Sequence, residues 1–566
     1  MRIAATAAAI ASFCLIAAAC APAAEEAPAP VPAADRVFTG GLIHTGVEAE
    51  PTAELVAVTG GRIVFAGSAA DGAGYIGQAT ETIDLGGAVM FPGFTDAHVH
   101  VIGVGERERN LNLEDVASIT ELQAAVAGAA EDANASVIFG RGWIETHWPE
   151  ARFPTAADLD AAEAVRPVVL VRADGHALVA NSAAMEAAGI TNATPDPEGG
   201  AILRDDDGAA TGMFIDTAMA PFAGLMGDAP TMEERAALYE LGARVLAASG
   251  WTGVHNMSVD FADVAIMESL AEEGRLPIRI ANYVNPESYD SVAAMAGSER
   301  VTEPVITPGV KFYMDGALGS RGAALLSPYD DAPGETGLFL SRQGQSVDMM
   351  QAALTDGVQL AVHAIGDAGN RALLDWIEQS LDAVPPADRA AADPRWRVEH
   401  AQILAPADIP RFGELDIIAS MQPSHAIGDL HFAPSRIGLN RLEGAYAWRS
   451  LVESGALIAG GSDAPVERGE ARIEFYAAAV RRDLEGYAGE GWNLDQALDR
   501  ETALKLFTAW PAYATRREAE LGSIEVGKLA DFSVFDRDLM SVGEESLREA
   551  RPVMTVVGGE VVWRAE

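Results

Sequence analysis

Short apolar runs that end in polar residues recur through the middle of this chain, and stretches with helical spacing lie between many of them. Residues 91–100 open the series with a Pro92-Gly93 turn and a short strand ending His98-Val99-His100. Further strand signals follow at 253–256, 278–283, 310–315, 360–363, 397–400, 417–422 and 456–460, with helical stretches such as 371–381 and 446–453 between them. Eight strands alternating with helices predict an α/β fold, a (β/α)8 TIM barrel, with a doubly wound sheet as the alternative. The two ends read differently. Residues 36–85 and 529–559 hold apolar runs bounded by glycine pairs, the pattern of short strands and turns. They are expected to form one discontinuous β-sandwich, 35–90 plus 515–566, beside a barrel over 91–514. About 150 residues separate the first two barrel strands, too many for a structureless loop. An inserted subdomain after strand 1, approximately 105–250, is therefore expected over the catalytic face.

A chain of 566 residues suits a large domain with accessory units. Its formal net charge of -44 argues against nucleic acid and anionic membrane surfaces as partners, and a small-molecule substrate is expected. Residues 1–20 carry one Arg, a short apolar run and then small residues. That is a secretory signal peptide, too short to span a membrane. Ala17-Ala18-Ala19-Cys20 resembles a bacterial lipoprotein box, with Cys20 as the lipidation site. The expected location is the periplasm, with lipid anchoring to the outer membrane through Cys20; ordinary signal-peptidase cleavage is the alternative. Residues 21–34 read as a disordered linker. Cys14 and Cys20 are the only cysteines, so the mature chain has no structural disulfide. A metal site in it must be built from His, carboxylate and Lys.

On a strand, residues i and i+2 share a side, so His98 and His100 can aim both rings at one ion. His363 and His400 end later strands, and Asp463 follows Gly460-Gly461-Ser462 just past the last. Barrel enzymes keep their chemistry at these strand ends. Glu399 is read as facing the helix layer or pairing with an arginine, and is not assigned to the site. Lys311 adds a separate clue: it is one of three lysines, with Lys505 and Lys528, in a chain with 39 Lys and Arg together. A lone ammonium in the middle of an apolar strand is costly. A buried Lys with a depressed pKa can add carbon dioxide, and the carbamate supplies two oxygens that can bridge metals. The alternative is an ion pair with Asp315 or Asp367.

Together these residues resemble the amidohydrolase superfamily, specifically the amidohydrolase 3 or YtcJ-like branch. The stretches that carry the resemblance include FPGFTDAHVH, VKFYMDGALGSRGAALLSPY, VHAIGDAGNRALLD, RVEHAQIL, MQPSHAIGD and LIAGGSDAPVE, in that order along the chain. The resemblance implies metal ligands at His98, His100, carbamylated Lys311, His363, His400 and Asp463. It implies one or two divalent ions, zinc first, with His98, His100 and Asp463 on one and His363 and His400 on the other. Asp463 would take a proton from water and pass it to a leaving nitrogen. His176, in the insert, would donate a hydrogen bond to the developing oxyanion. The implied reaction is hydrolysis of a C–N bond in an amide, cyclic amide or N-acyl or N-formyl compound. A metallopeptidase or lactonase on the same fold, or a non-catalytic periplasmic binding protein, are the rival readings. Oligomeric state is left open, a homodimer being one option.

Overall fold

The computed structural model describes residues 32–566, apart from 115, 133–134, 146–147, 174, 198, 226–229 and 297–303. The signal peptide, Cys14, Cys20 and most of the 21–34 linker lie outside the described residues. Eight parallel strands form the central sheet: β1 (Phe94–Val99), β2 (Trp251–Val259), β3 (Arg279–Val284), β4 (Val305–Tyr313), β5 (Gln359–Ala364), β6 (Arg397–His400), β7 (Ile418–Met421) and β8 (Ile458–Gly460). They neighbour one another in sequence order from β1 to β8. A doubly wound sheet would reverse direction partway, so this order decides for the barrel. The ends meet just beyond β8, where Asp463 N donates to His98 O at 2.6 Å and His100 N to Ala464 O at 2.8 Å.

Helices pack outside the strands because each return to a parallel neighbour needs a crossover. The helix Asp367–Ala383 buries Leu373, Leu374, Trp376 and Ile377 against the barrel. Its apolar positions recur at helical spacing, as expected for a helix with one buried face. The helix Met232–Ala248 begins with a Thr231/Glu234 capping box and crosses Val101–Arg109, the helix that follows His100. That crossing is close: a Cβ on Gly105 would stand 2.1 Å from Leu238 O, and one on Gly242 2.1 Å from Val101 O. These two glycines let a backbone contact fix the helix that carries His100 at its start.

Both chain ends join in one eight-stranded sheet. Phe532–Phe535 runs antiparallel to Val89–Pro92, which leads directly into β1. Phe38, Ile43, Val56 and Met90 from the N-terminal part share an apolar cluster with Phe532, Val534 and Met554. The insert has its own six-stranded sheet, from Leu111–Asn112 to Ala210–Asp216, around Trp143, Leu170, Val179 and Met213. Among the described residues, no helix is long and apolar enough to cross a membrane.

Removing residues 529–566 would strip the strand paired with Val89–Pro92 and bare Phe38 and Met90. The expected outcome is loss of soluble protein on expression, measured as soluble yield. A soluble, cooperatively unfolding truncation would show that the N-terminal strands do not need their C-terminal partners.

Candidate metal centre

The polar strand ends converge on one cavity of about 480 Å³ at the C-terminal mouth of the barrel. β1 brings His98 and, one step beyond its end, His100; β4 brings Lys311, β5 His363 and β6 His400. Asp463 follows β8 with φ of 60°, a left-handed conformation that turns its carboxylate back into the bore. His400 also has positive φ, 72°. The ligand atoms of His98, His400 and Asp463 all lie within 4.8 Å of one another. Asp463 Oδ1 is 3.5 Å from His98 Nε2 and 3.2 Å from His100 Nε2. The ring centres of His363 and His400 are 4.5 Å apart, so His363 closes the other side.

A metal ligand must offer a free lone pair, and the hydrogen bonds at the opposite ring nitrogens decide this. His98 Nδ1 meets Glu399 Oε2 at 2.5 Å, His100 Nδ1 meets Met257 O at 3.1 Å and His400 Nδ1 meets Gln422 Oε1 at 2.8 Å. Each acceptor places the proton on Nδ1 and leaves Nε2 bare. His363 uses its Nε2 toward Gly316 O at 3.4 Å, which leaves Nδ1. Burial, with Lys311 adding to it, pushes His98 down to about 4, and burial holds His363 and His400 well below the usual histidine range. Burial thus favours the neutral form of all three rings. Burial opposes ionisation of Asp463, but the neighbouring His98, His100 and His400 outweigh it and hold the carboxyl well below its usual range. Its buried Oδ1 has no hydrogen-bond partner. Neutral imidazoles around an unpartnered carboxylate oxygen are the donor set of a divalent cation.

Lys311 is buried, and its Nζ lies 3.4 Å from His98 Nε2. Among the described residues, no carboxylate pairs with it. Asp315 instead accepts the backbone N–H groups of Ala324, Ile365 and Gly366, and Asp367 accepts that of Leu326. The ion-pair alternative for Lys311 is therefore not what the barrel contains.

The chain has relatives. The model of the amidohydrolase family, Amidohydro_3, matches residues 81–563. The chain belongs to the amidohydrolase family. It is 33% identical to the amidohydrolase YtcJ of Bacillus subtilis, over 93% of this chain and 99% of that one. It is 27% identical to the N-substituted formamide deformylase of Arthrobacter pascens, over 93% and 97% of the two chains. Among solved structures, a metal-dependent hydrolase from Pyrococcus horikoshii superposes with a TM-score of 0.71 at 26% identity, covering 90% of this chain and 99% of that one.

Three further side chains complete the wall of the amidohydrolase cavity. His176 reaches it from the insert, with Nδ1 held by Asp216 Oδ1 at 2.8 Å. His425 was not expected from the strand ends. It sits on the short helix Pro423–Asp429 after β7, with Nε2 3.6 Å from Asp463 Oδ2 and without a hydrogen-bond partner. Its signal was there: a His just past a barrel strand, in MQPSHAIGD. Glu467 also lines the cavity, and burial, reinforced by Asp429, Asp463 and Glu114, pushes its carboxyl up to about 8. Glu399 corrects the expectation of a helix-facing residue. It does pair with an arginine, Arg397, but inside the bore and against His98.

Asp463→Asn keeps the size of the side chain and removes its charge. It is expected to lower bound divalent metal by more than about tenfold after dialysis, read by elemental analysis. Unchanged metal content would remove Asp463 from the ligand set.

Proposed function

We propose that this amidohydrolase cleaves a carbon–nitrogen bond in a small amide, cyclic amide or N-acyl or N-formyl compound. The observation that carries the reading is the unpartnered Asp463 Oδ1, buried between His98 and His100 at the mouth of the barrel. The likeness to a formamide deformylase over nearly the whole of both chains supports the N-formyl end of that range. When bound, a divalent ion, zinc on this donor set, supplies an activated water and polarises the carbonyl.

The chain's own residues supply the rest. Asp463 is ionised and reaches the cavity, so it can accept the proton of the attacking water and return it to the leaving nitrogen. His176, its Nδ1 fixed by Asp216, can donate from its other nitrogen to the oxygen that becomes negative. Lys311 is the candidate for a carbamate. After losing its ammonium proton, Nζ would form an N–C bond to carbon dioxide and release a second proton, leaving two oxygens next to His98. Ile102, Ile144, Leu318 and Phe432 line the outer cavity and suit an apolar substituent on the substrate.

The test is a panel of N-alkylformamides, N-acyl amino acids, hydantoins, lactones and dipeptides on metal-loaded protein. Turnover of amides or formamides is expected, abolished by chelation and restored by Zn, Mn or Co. Turnover confined to lactones or dipeptides would overturn the non-peptide C–N reading. For the carbamate, Lys311→Arg keeps the charge but cannot supply oxygens. It is expected to lose metal and about 100-fold or more in kcat/KM, the order seen when one charge-stabilising group is lost. Normal metal content with near-normal turnover in Lys311→Arg would overturn the bridge.

A further inference from the structure

The bore beneath the metal centre carries charge where barrels of this kind usually carry branched apolar side chains. On β6, alternation turns Arg397 and Glu399 inward and Val398 outward, and both charged side chains are fully buried. A buried ion pair is weak evidence for stability, because desolvation offsets most of its attraction. Its other contacts show a different use.

Glu399 has both oxygens engaged. Oε1 accepts from Arg397 Nε, while Oε2 accepts from His98 Nδ1 at 2.5 Å and from Arg397 Nη2 at 3.1 Å. Arg397 is fixed in turn from three other strands. It meets His255 Nδ1 of β2 at 2.7 Å, Ala97 O of β1 at 2.5 Å and Ser420 Oγ of β7. The guanidinium can only donate and an ionised carboxylate can only accept. The chain of bonds therefore has one polarity: Arg397 to Glu399, and His98 Nδ1–H to Glu399. His98 is left with its Nε2 lone pair facing Asp463 Oδ1. The other two rings with Nδ1 acceptors use neutral ones, the Met257 carbonyl for His100 and the Gln422 amide for His400. Among these three ligands, His98 alone has a charged acceptor, which makes its ring the most electron-rich.

We infer that Arg397 and Glu399 are a positioning pair for the metal: Glu399 holds His98 in its Nδ1–H form, and Arg397 locks Glu399 from across the bore. The inference rests on the metal-site reading of this cavity and not on the substrate. Its test reads metal affinity, so its failure leaves the C–N reading standing, and an inactive substrate panel leaves it standing in turn.

The experiment uses the full-length protein, stripped and titrated with zinc against a chromophoric chelator, and with cobalt alone followed by visible absorption. Glu399→Gln keeps the shape and removes the charge. It is expected to weaken zinc about 10- to 100-fold, the range for losing a partner of a metal-bound histidine, and to move the cobalt absorption band. Asp531→Asn is the comparison. It breaks another buried pair, with Arg279 at 2.6 Å, far from the ligands, and is expected to lower the unfolding midpoint without changing zinc affinity or the cobalt band. Glu399→Gln with zinc affinity within twofold of wild type and an unmoved cobalt band would overturn the inference. Should Glu399→Gln not fold, Arg397→Lys carries the test, because Lys keeps the charge but cannot grip both carboxylate oxygens. Weakened zinc supports the pair, and unchanged zinc affinity overturns it equally.

Discussion

Closure of the barrel hangs on one buried carboxylate. Asp96, in the middle of β1, accepts the backbone N–H of His98 at 3.0 Å and that of Ser462 at 2.9 Å, and its second oxygen takes the Ser462 hydroxyl. These bonds staple the segment after β8 to the first strand, where no regular ladder runs. The approach is so close that position 461 must be glycine: a Cβ there would lie 2.4 Å from His98 N and 2.6 Å from Asp96 Oδ1. Everything at the metal centre depends on this seam, because it sets Asp463 against His98 and His100. A looser seam would leave three histidines without their carboxylate.

Strained backbone occurs at two of the candidate ligands. His400 and Asp463 both sit at positive φ, which costs a residue with a side chain on the order of 1–3 kcal/mol. Each is held there by a hydrogen bond. His400 is gripped at Nδ1 by Gln422, and Asp463 by its own N–H on His98 O. The conformation has a chemical purpose. A regular strand would point His400 away from the side that Glu399 occupies, whereas the left-handed turn sends both into the bore, Glu399 at the floor and His400 at the mouth.

Much of the fold could be read from pattern. All eight barrel strands stand where short apolar runs with polar ends predicted them, and the long interval after β1 is indeed a separate sheet. Such signals are local: burial on both sides of a parallel strand writes a continuous apolar run, and the helix face writes its own period. The strand-end rule also picked out His98, His100, His363, His400 and Asp463, and the scarcity of lysine singled out Lys311; all six line one cavity. It missed His425 because the search stopped at the strand and did not follow the first turn of the helix beyond it. Of its two readings of Glu399, the pairing with an arginine holds, with Arg397, while the helix-layer placement does not.

The sequence by itself determined the order of elements and the kind of donors available: imidazole, carboxylate and one buried amine, with no thiol after Cys20. Those follow from composition and from periodicity, which need no knowledge of what lies across the barrel. Only the tertiary structure decided which donors meet, which ring nitrogen each presents and what holds the other. His98 and Glu399 are 301 positions apart. Their contact exists because a closed ring of eight strands brings the first beside the last and lets the sixth reach across to the first. Lengths, tilts and backbone signs set that meeting, and none of them is written in a neighbouring residue.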